Sequence, residues 1–176
     1  MKSITFITGN QDKADATKRY LHIPMTHKKL ELTEIQSLNV KEVVEHKARE
    51  AYKILGQPVL VEDTSLTFHA LGKLPGPFIK WFLQELGNEG LCNLVKEDRS
   101  ATATVLFGLF DGTELHFFEG SSDGIIAQSP RGDNGFGWDS IFIPNGKTKT
   151  HAEMTSNELD AISIRRIALE KMKKEL

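Results

Sequence analysis

The sequence contains a single cysteine, Cys92, which excludes an intrachain disulfide and a zinc site built on cysteines. Its histidines (His22, His27, His46, His69, His116 and His151) are scattered without ligand spacing, which argues against a histidine metal site. No apolar run approaches the roughly 20 residues that span a bilayer, so no membrane association is expected. The apolar stretch in "MKSITFITGN" is too short for a signal peptide and has no cleavage-like site, so a cytoplasmic location is the expectation. Long basic runs are missing as well. With a net charge of −2 and a pI near 6.3, a nucleic-acid polymer is not the expected partner. Neither a Walker loop nor a G-x-S-x-G elbow is present.

What is present suits one globular domain over residues 1–176, with 39% apolar and 26% charged residues. The run "SITFIT" reads as a strand that meets a Gly9-Asn10 turn, and "QDKADATKRYL" reads as the helix after it. Residues 25–32 suit a second strand. Asn39 and Glu42 have the spacing of a capping box, and apolar residues then recur at helical spacing up to Gly56. "PVLVED" is a continuous apolar run ended by acids, as expected of a central strand covered on both faces. "SLTFHAL" extends into a hairpin arm broken by "LPGP", and "FIKWFLQEL" and "EGLCNLVKE" have helical composition. Residues 101–110 and 114–127 read as strands joined at Asp111-Gly112. A glycine-rich loop follows, and Thr155 with Glu158 opens a helix predicted to reach the C-terminus. This mixture predicts an α/β (mixed α+β) fold with a mixed sheet.

Three stretches carry candidate chemistry. In "TGNQDK" a strand end, a glycine and a helix start present backbone N–H groups suited to phosphate, within reach of Lys13; an ordinary turn capped by Asn10 is the alternative. Glu62 and Asp63 are adjacent carboxylates where a strand is expected to end. Unpaired acids are costly in a core, so a cation such as magnesium is their natural partner; a solvated "EDTS" turn is the alternative. In "DNGFGWDS" two large rings flank a glycine and precede an acid, which suits a single base held by aromatic faces; a packed loop with Trp138 in the core competes. Lys80 beside bulky aromatics reads most simply as a surface lysine, and Cys92 as a buried structural thiol.

In this order, "TGNQDK", "EIQ" at Glu34–Gln36, Lys47, "VLVEDTSLTFHALGKLPGPFIKWF", "FGWDSIFIP", "AEM" at Ala152–Met154 and S-x-R at Ser163 and Arg165 resemble the inosine triphosphate pyrophosphatase family, in its eukaryotic-like branch. The resemblance implies an elongated central mixed β-sheet with flanking helices, forming two lobes around a substrate cleft, and a homodimer. It implies magnesium-dependent hydrolysis of deaminated purine nucleoside triphosphates to the monophosphate and pyrophosphate. It assigns Glu34, Glu62 and Asp63 to Mg2+, with Asp63 also orienting or deprotonating the attacking water. It gives the phosphates to Thr8, Gly9, Asn10, Lys13, Lys47 and Lys80, with Thr64 also on the substrate. The base falls to Phe136, Gly137, Trp138 and Asp139, closed by Ser163 and Arg165. The chain departs from the family where a lysine and a histidine are usual, with Leu159 and Ile164 in their places. A binding relative with weak or lost activity or changed base preference is therefore the alternative, and a hydrolase of modified pyrimidine nucleotides a further rival.

Overall fold

A computed structural model describes residues 3–176. The β-branched run forms β1 (Ile4–Ile7), and Asn10 ends the turn after it by accepting the Lys13 N–H, which starts α1 (Gln11–Leu21). β2 (Met25–Lys28) is shorter than the predicted segment. α2 (Val40–Leu55) starts at Asn39, whose side chain accepts from Lys41 N, and stops at Gly56 in the left-handed conformation that glycine favours. The expected capping box does not form: Asn39 Oδ1 takes Lys41 N rather than Glu42 N, and the Glu42 carboxylate takes Ser37 Oγ and Asn39 Nδ2 rather than the Asn39 backbone N–H.

β3 (Val59–Phe68) corrects the expectation of a strand that ends at its acids: it continues five residues beyond Asp63 and pairs with β4 (Pro75–Gly76). α3 (Ile79–Asn93) is helical on both sides of Gly87, which breaks the helix at φ 64° and ψ 177°. β5 (Ser100–Phe110) and β6 (Leu115–Ile126) flank the Asp111 turn, and the short β7 (Phe142–Pro144) follows the glycine-rich loop. The helix predicted to reach the C-terminus is two helices, α4 (Ser156–Ile162) and α5 (Ile164–Glu175), because Ser163 is extended at φ −60° and ψ 117°.

The sheet runs in the order β2-β1-β3-β5-β6-β7, with β4 paired to β3 off that path. β1 is parallel to β2 and β3, while β4 and β7 pair antiparallel, so the sheet is mixed as expected. The chain forms two compact units. The first holds residues up to Asp63, Val105–Gly120 and Arg165–Leu176; its apolar cluster joins Val44, Ala48 and Ala51 of α2 to Val59, Val61, Leu106 and Phe110. The second holds Thr64–Thr104 and Ser121–Ile164; its cluster centres on Phe68, Ile79, Leu91, Ile141 and Phe142. Cys92 lies in this second cluster, the buried thiol expected.

Candidate active site

Successive side chains of a strand point to opposite faces. The paired acids of β3 obey this rule and meet different helices. Glu62 accepts from Lys13 Nζ of α1 at 2.6 Å, and from Arg165 of α5 through Nη2 at 2.8 Å and Nε at 3.2 Å. Asp63 accepts from Lys47 Nζ of α2 at 2.7 Å. Adjacent carboxylates are tolerable in mid-strand because each has its own cation.

Their electrostatics diverge. Burial raises the Glu62 pKa, but Arg165 and Lys13 together outweigh it and hold the group below the usual glutamate value. Burial also raises Asp63; Lys47 opposes that, Glu62 and Glu34 reinforce it, and the net shift is upward. Neighbouring acids pushed apart in this way can divide the labour of a reaction: one stays ionised, and the other accepts a proton nearer neutrality.

The β1–α1 turn lies on the same unit. Thr8 Oγ1 accepts the Asn10 N–H at 3.0 Å, and Asn10 is the N-cap, so the plain capping role is present whatever else the turn binds. Gly9 leaves room for the Lys29 stem, whose Cδ would stand 3.1 Å from a Cβ there. Glu34 lies close enough to Asp63 to raise its pKa. Arg165, assigned to the base by the resemblance, is here bidentate on Glu62.

Among the described residues no three acidic, histidine or cysteine side chains are gathered as a metal cage. Both Glu62 oxygens face cations, and Asp63 Oδ1 faces Lys47. Magnesium does not need a protein cage, since a few carboxylates with substrate phosphates and water complete its shell. Asp63 and Glu34 fit that demand: burial, and then the like charge of Glu62 and Glu34, hold Asp63 up, and a divalent ion would relieve the like charge.

In the second unit, Phe136 is 66% exposed, while Trp138 packs against the apolar cluster and sits edge-on to Phe142 at 5.7 Å. The rings are therefore unlike: one available, one structural. Gly137 adopts φ 64°, and its carbonyl accepts from Asn88 Nδ2 at 2.9 Å. Asp139 Oδ2 accepts the Phe136 N–H at 2.9 Å and closes the loop on itself. Lys80 lies 4.9 Å from the Trp81 ring centre, and Thr64 follows the acids on β3. Ser163 breaks α4 from α5, and Ile164 packs against the cluster that includes Phe142.

One partner of Asp139 is not among the expected site residues. His151 Nδ1 stands 3.3 Å from Asp139 Oδ1, carried on a single 3₁₀ turn, His151–Glu153, that a Thr150/Glu153 capping box begins. The T-x-x-E spacing was legible, but one turn has no apolar period to mark it.

The chain is a mixed-sheet α/β protein whose first unit sets lysines beside adjacent acids and whose second unit carries an exposed aromatic on a glycine loop. The Ham1 family model spans residues 4–175, and the chain belongs to that family. The inosine triphosphate pyrophosphatase of Yarrowia lipolytica is 47% identical, covering 97% of this chain and 94% of that protein. Its counterpart in Schizosaccharomyces pombe is 43% identical, covering 98% and 94%. A HAM1 protein from Coxiella burnetii superposes with TM-score 0.86 at 29% identity, covering 99% and 98%. A Mycobacterium abscessus structure described as a nucleoside-triphosphatase / dITP/XTP pyrophosphatase gives 0.80 at 28%, covering 97% and 98%.

Proposed function

We propose that this chain is a nucleoside triphosphate pyrophosphatase that hydrolyses deaminated purine nucleotides (ITP, dITP and XTP) to the monophosphate and pyrophosphate, with magnesium. The observation that carries the reading is the divergence of Glu62 and Asp63, each beside its own lysine. Full-length similarity to proteins named inosine triphosphate pyrophosphatase supports the same substrate class.

In this reading Asp63 takes the proton from a water whose oxygen attacks the α-phosphorus. The bond from that phosphorus to the oxygen bridging it to the β-phosphorus breaks, and pyrophosphate leaves with the electron pair. Lys13 and Lys47 turn from their carboxylates toward the phosphates and stabilise the charge that gathers on the leaving group. Glu62 holds Lys13 and Arg165 ready until the substrate arrives. Asp63 and Glu34 would hold the divalent ion, which would neutralise phosphate charge and acidify the attacking water. The loop Phe136–Asp139 receives the base. A 6-keto oxygen accepts hydrogen bonds where the adenine 6-amino group donates, so a donor-lined loop leaves adenine unpaired.

The test is a panel of ITP, XTP, dITP, ATP, GTP and a modified pyrimidine triphosphate with magnesium, scored for pyrophosphate. Preferential release of pyrophosphate from the first three supports the reading. Orthophosphate as first product, or preference for the pyrimidine, rejects it.

A further inference from the structure

Resting on the reading that Phe136–Asp139 receives the base, we infer that His151 is a positioning residue that sets how selectively this loop holds a deaminated purine. A carboxylate can only accept, so the imidazole nitrogen 3.3 Å from Asp139 Oδ1 carries the hydrogen. The other Asp139 oxygen accepts from Phe136 N–H at 2.9 Å. Two donors on two oxygens fix the plane of the carboxylate, and that plane fixes the loop presenting Phe136.

The imidazole is itself held. It lies edge-on to Phe142 at 5.2 Å and tilted on Trp138 at 6.0 Å, and only 12% of its side chain is exposed. Its turn is tied to Arg131 and closed on itself by Thr150. Thr150 Oγ1 donates to Arg131 O at 2.8 Å, and Thr150 N–H donates to Glu153 Oε2 at 2.8 Å. The backbone stitches this turn to the loop: Ala152 N–H donates to Asp139 O at 3.0 Å, and Asn134 N–H to Ala152 O at 3.1 Å. Ile164, packed against the same apolar cluster, adds no polar group there. The imidazole beside this loop comes from the turn.

Selectivity follows from rigidity. A deaminated purine offers a ring N–H and a keto oxygen, and adenine reverses both, so a loop that cannot rotate leaves adenine's groups unpaired. Freed from His151, Asp139 can turn, and the loop adapts to either base.

The experiment compares His151→Phe, which keeps a ring against Trp138 and Phe142, with His151→Asn, whose amide nitrogen stands near the Nδ1 position. ITP and ATP kinetics are measured on each, with Asp139→Ala as the control. The phenylalanine variant is expected to raise KM for ITP roughly tenfold, with kcat within about twofold, and to narrow ITP-over-ATP preference by a similar factor, as befits a hydrogen bond to a charged group. The asparagine variant is expected to restore KM to within about threefold of wild type. Should the phenylalanine variant not fold, His151→Leu, which also lacks a donor, makes the same comparison. If Asp139→Ala raises KM while His151→Phe does not, the role of His151 is wrong and the loop reading stands. If Asp139→Ala leaves KM unchanged, the loop reading falls and this inference falls with it.

Discussion

Replacing Glu62 with glutamine removes one negative charge and little volume, at a carboxylate whose side chain is 4% exposed and carries Lys13 and Arg165 at 2.6 and 2.8 Å. The amide then faces two cations, and its NH2 group opposes their donors. Stranding charge by removing one partner of a buried pair costs about 3–5 kcal/mol. Here the cations keep some water, with 23% of the Lys13 side chain and 18% of Arg165 exposed, so the low end, about 3 kcal/mol, is expected. For a chain of this length that is a fall in Tm of roughly 6–12 °C. Urea unfolding at neutral pH, followed by tryptophan fluorescence, reads the difference directly. The pH sign is fixed by the depressed Glu62 pKa: the stabilisation is full above the ordinary glutamate value and fades as acid protonates the folded carboxylate. The gap between wild type and variant must therefore shrink on acidification. A variant within about 0.5 kcal/mol of wild type at neutral pH would refute the claim that this triad holds α1, β3 and α5 together.

Asp63→Asn is expected to lower kcat by about 10²–10⁴-fold, the range for loss of a general base. Because burial and like charge hold the Asp63 pKa up, its ionised form destabilises the fold as pH rises, so the same variant should unfold no earlier than wild type at neutral pH; early unfolding would contradict that. In wild type, the acid limb of the kcat/KM profile should lie above the usual aspartate value and disappear in the asparagine variant. Arg99 donates to the carbonyls of Cys92, Val95, Ile126 and Ala127, tying the end of α3 to the end of β6. Arg99→Met should cost about 3–5 kcal/mol in urea unfolding, since four acceptors lose a charged donor, and a loss under about 1 kcal/mol would refute that anchoring role.

Much of this fold was legible because local signals agreed with the tertiary answer. The β-branched run before Gly9-Asn10, the apolar period up to Gly56 and the Thr155/Glu158 box all mark elements that form. The end of β3 was misread because adjacent acids look like a strand terminus. What lets them sit in mid-strand is a set of cations 49, 103 and 16 residues away, which no local window contains. The break at Ser163 was missed because the polar–apolar pattern runs through it without a glycine or proline. The lysines and acids of the candidate site were found through motif order. The Asp139 partner was not, because His151 shares no ligand spacing with another histidine and its single turn has no apolar period.

The central claim concerns where a triphosphate is opened. Hydrolysis of ITP by the magnesium-loaded protein in heavy-oxygen water, with both products analysed by mass spectrometry, tests it most directly. Attack at the α-phosphorus, with Asp63 as base, places the label in the inosine monophosphate and leaves the pyrophosphate unlabelled. Label in the pyrophosphate, or in released orthophosphate, would contradict the account.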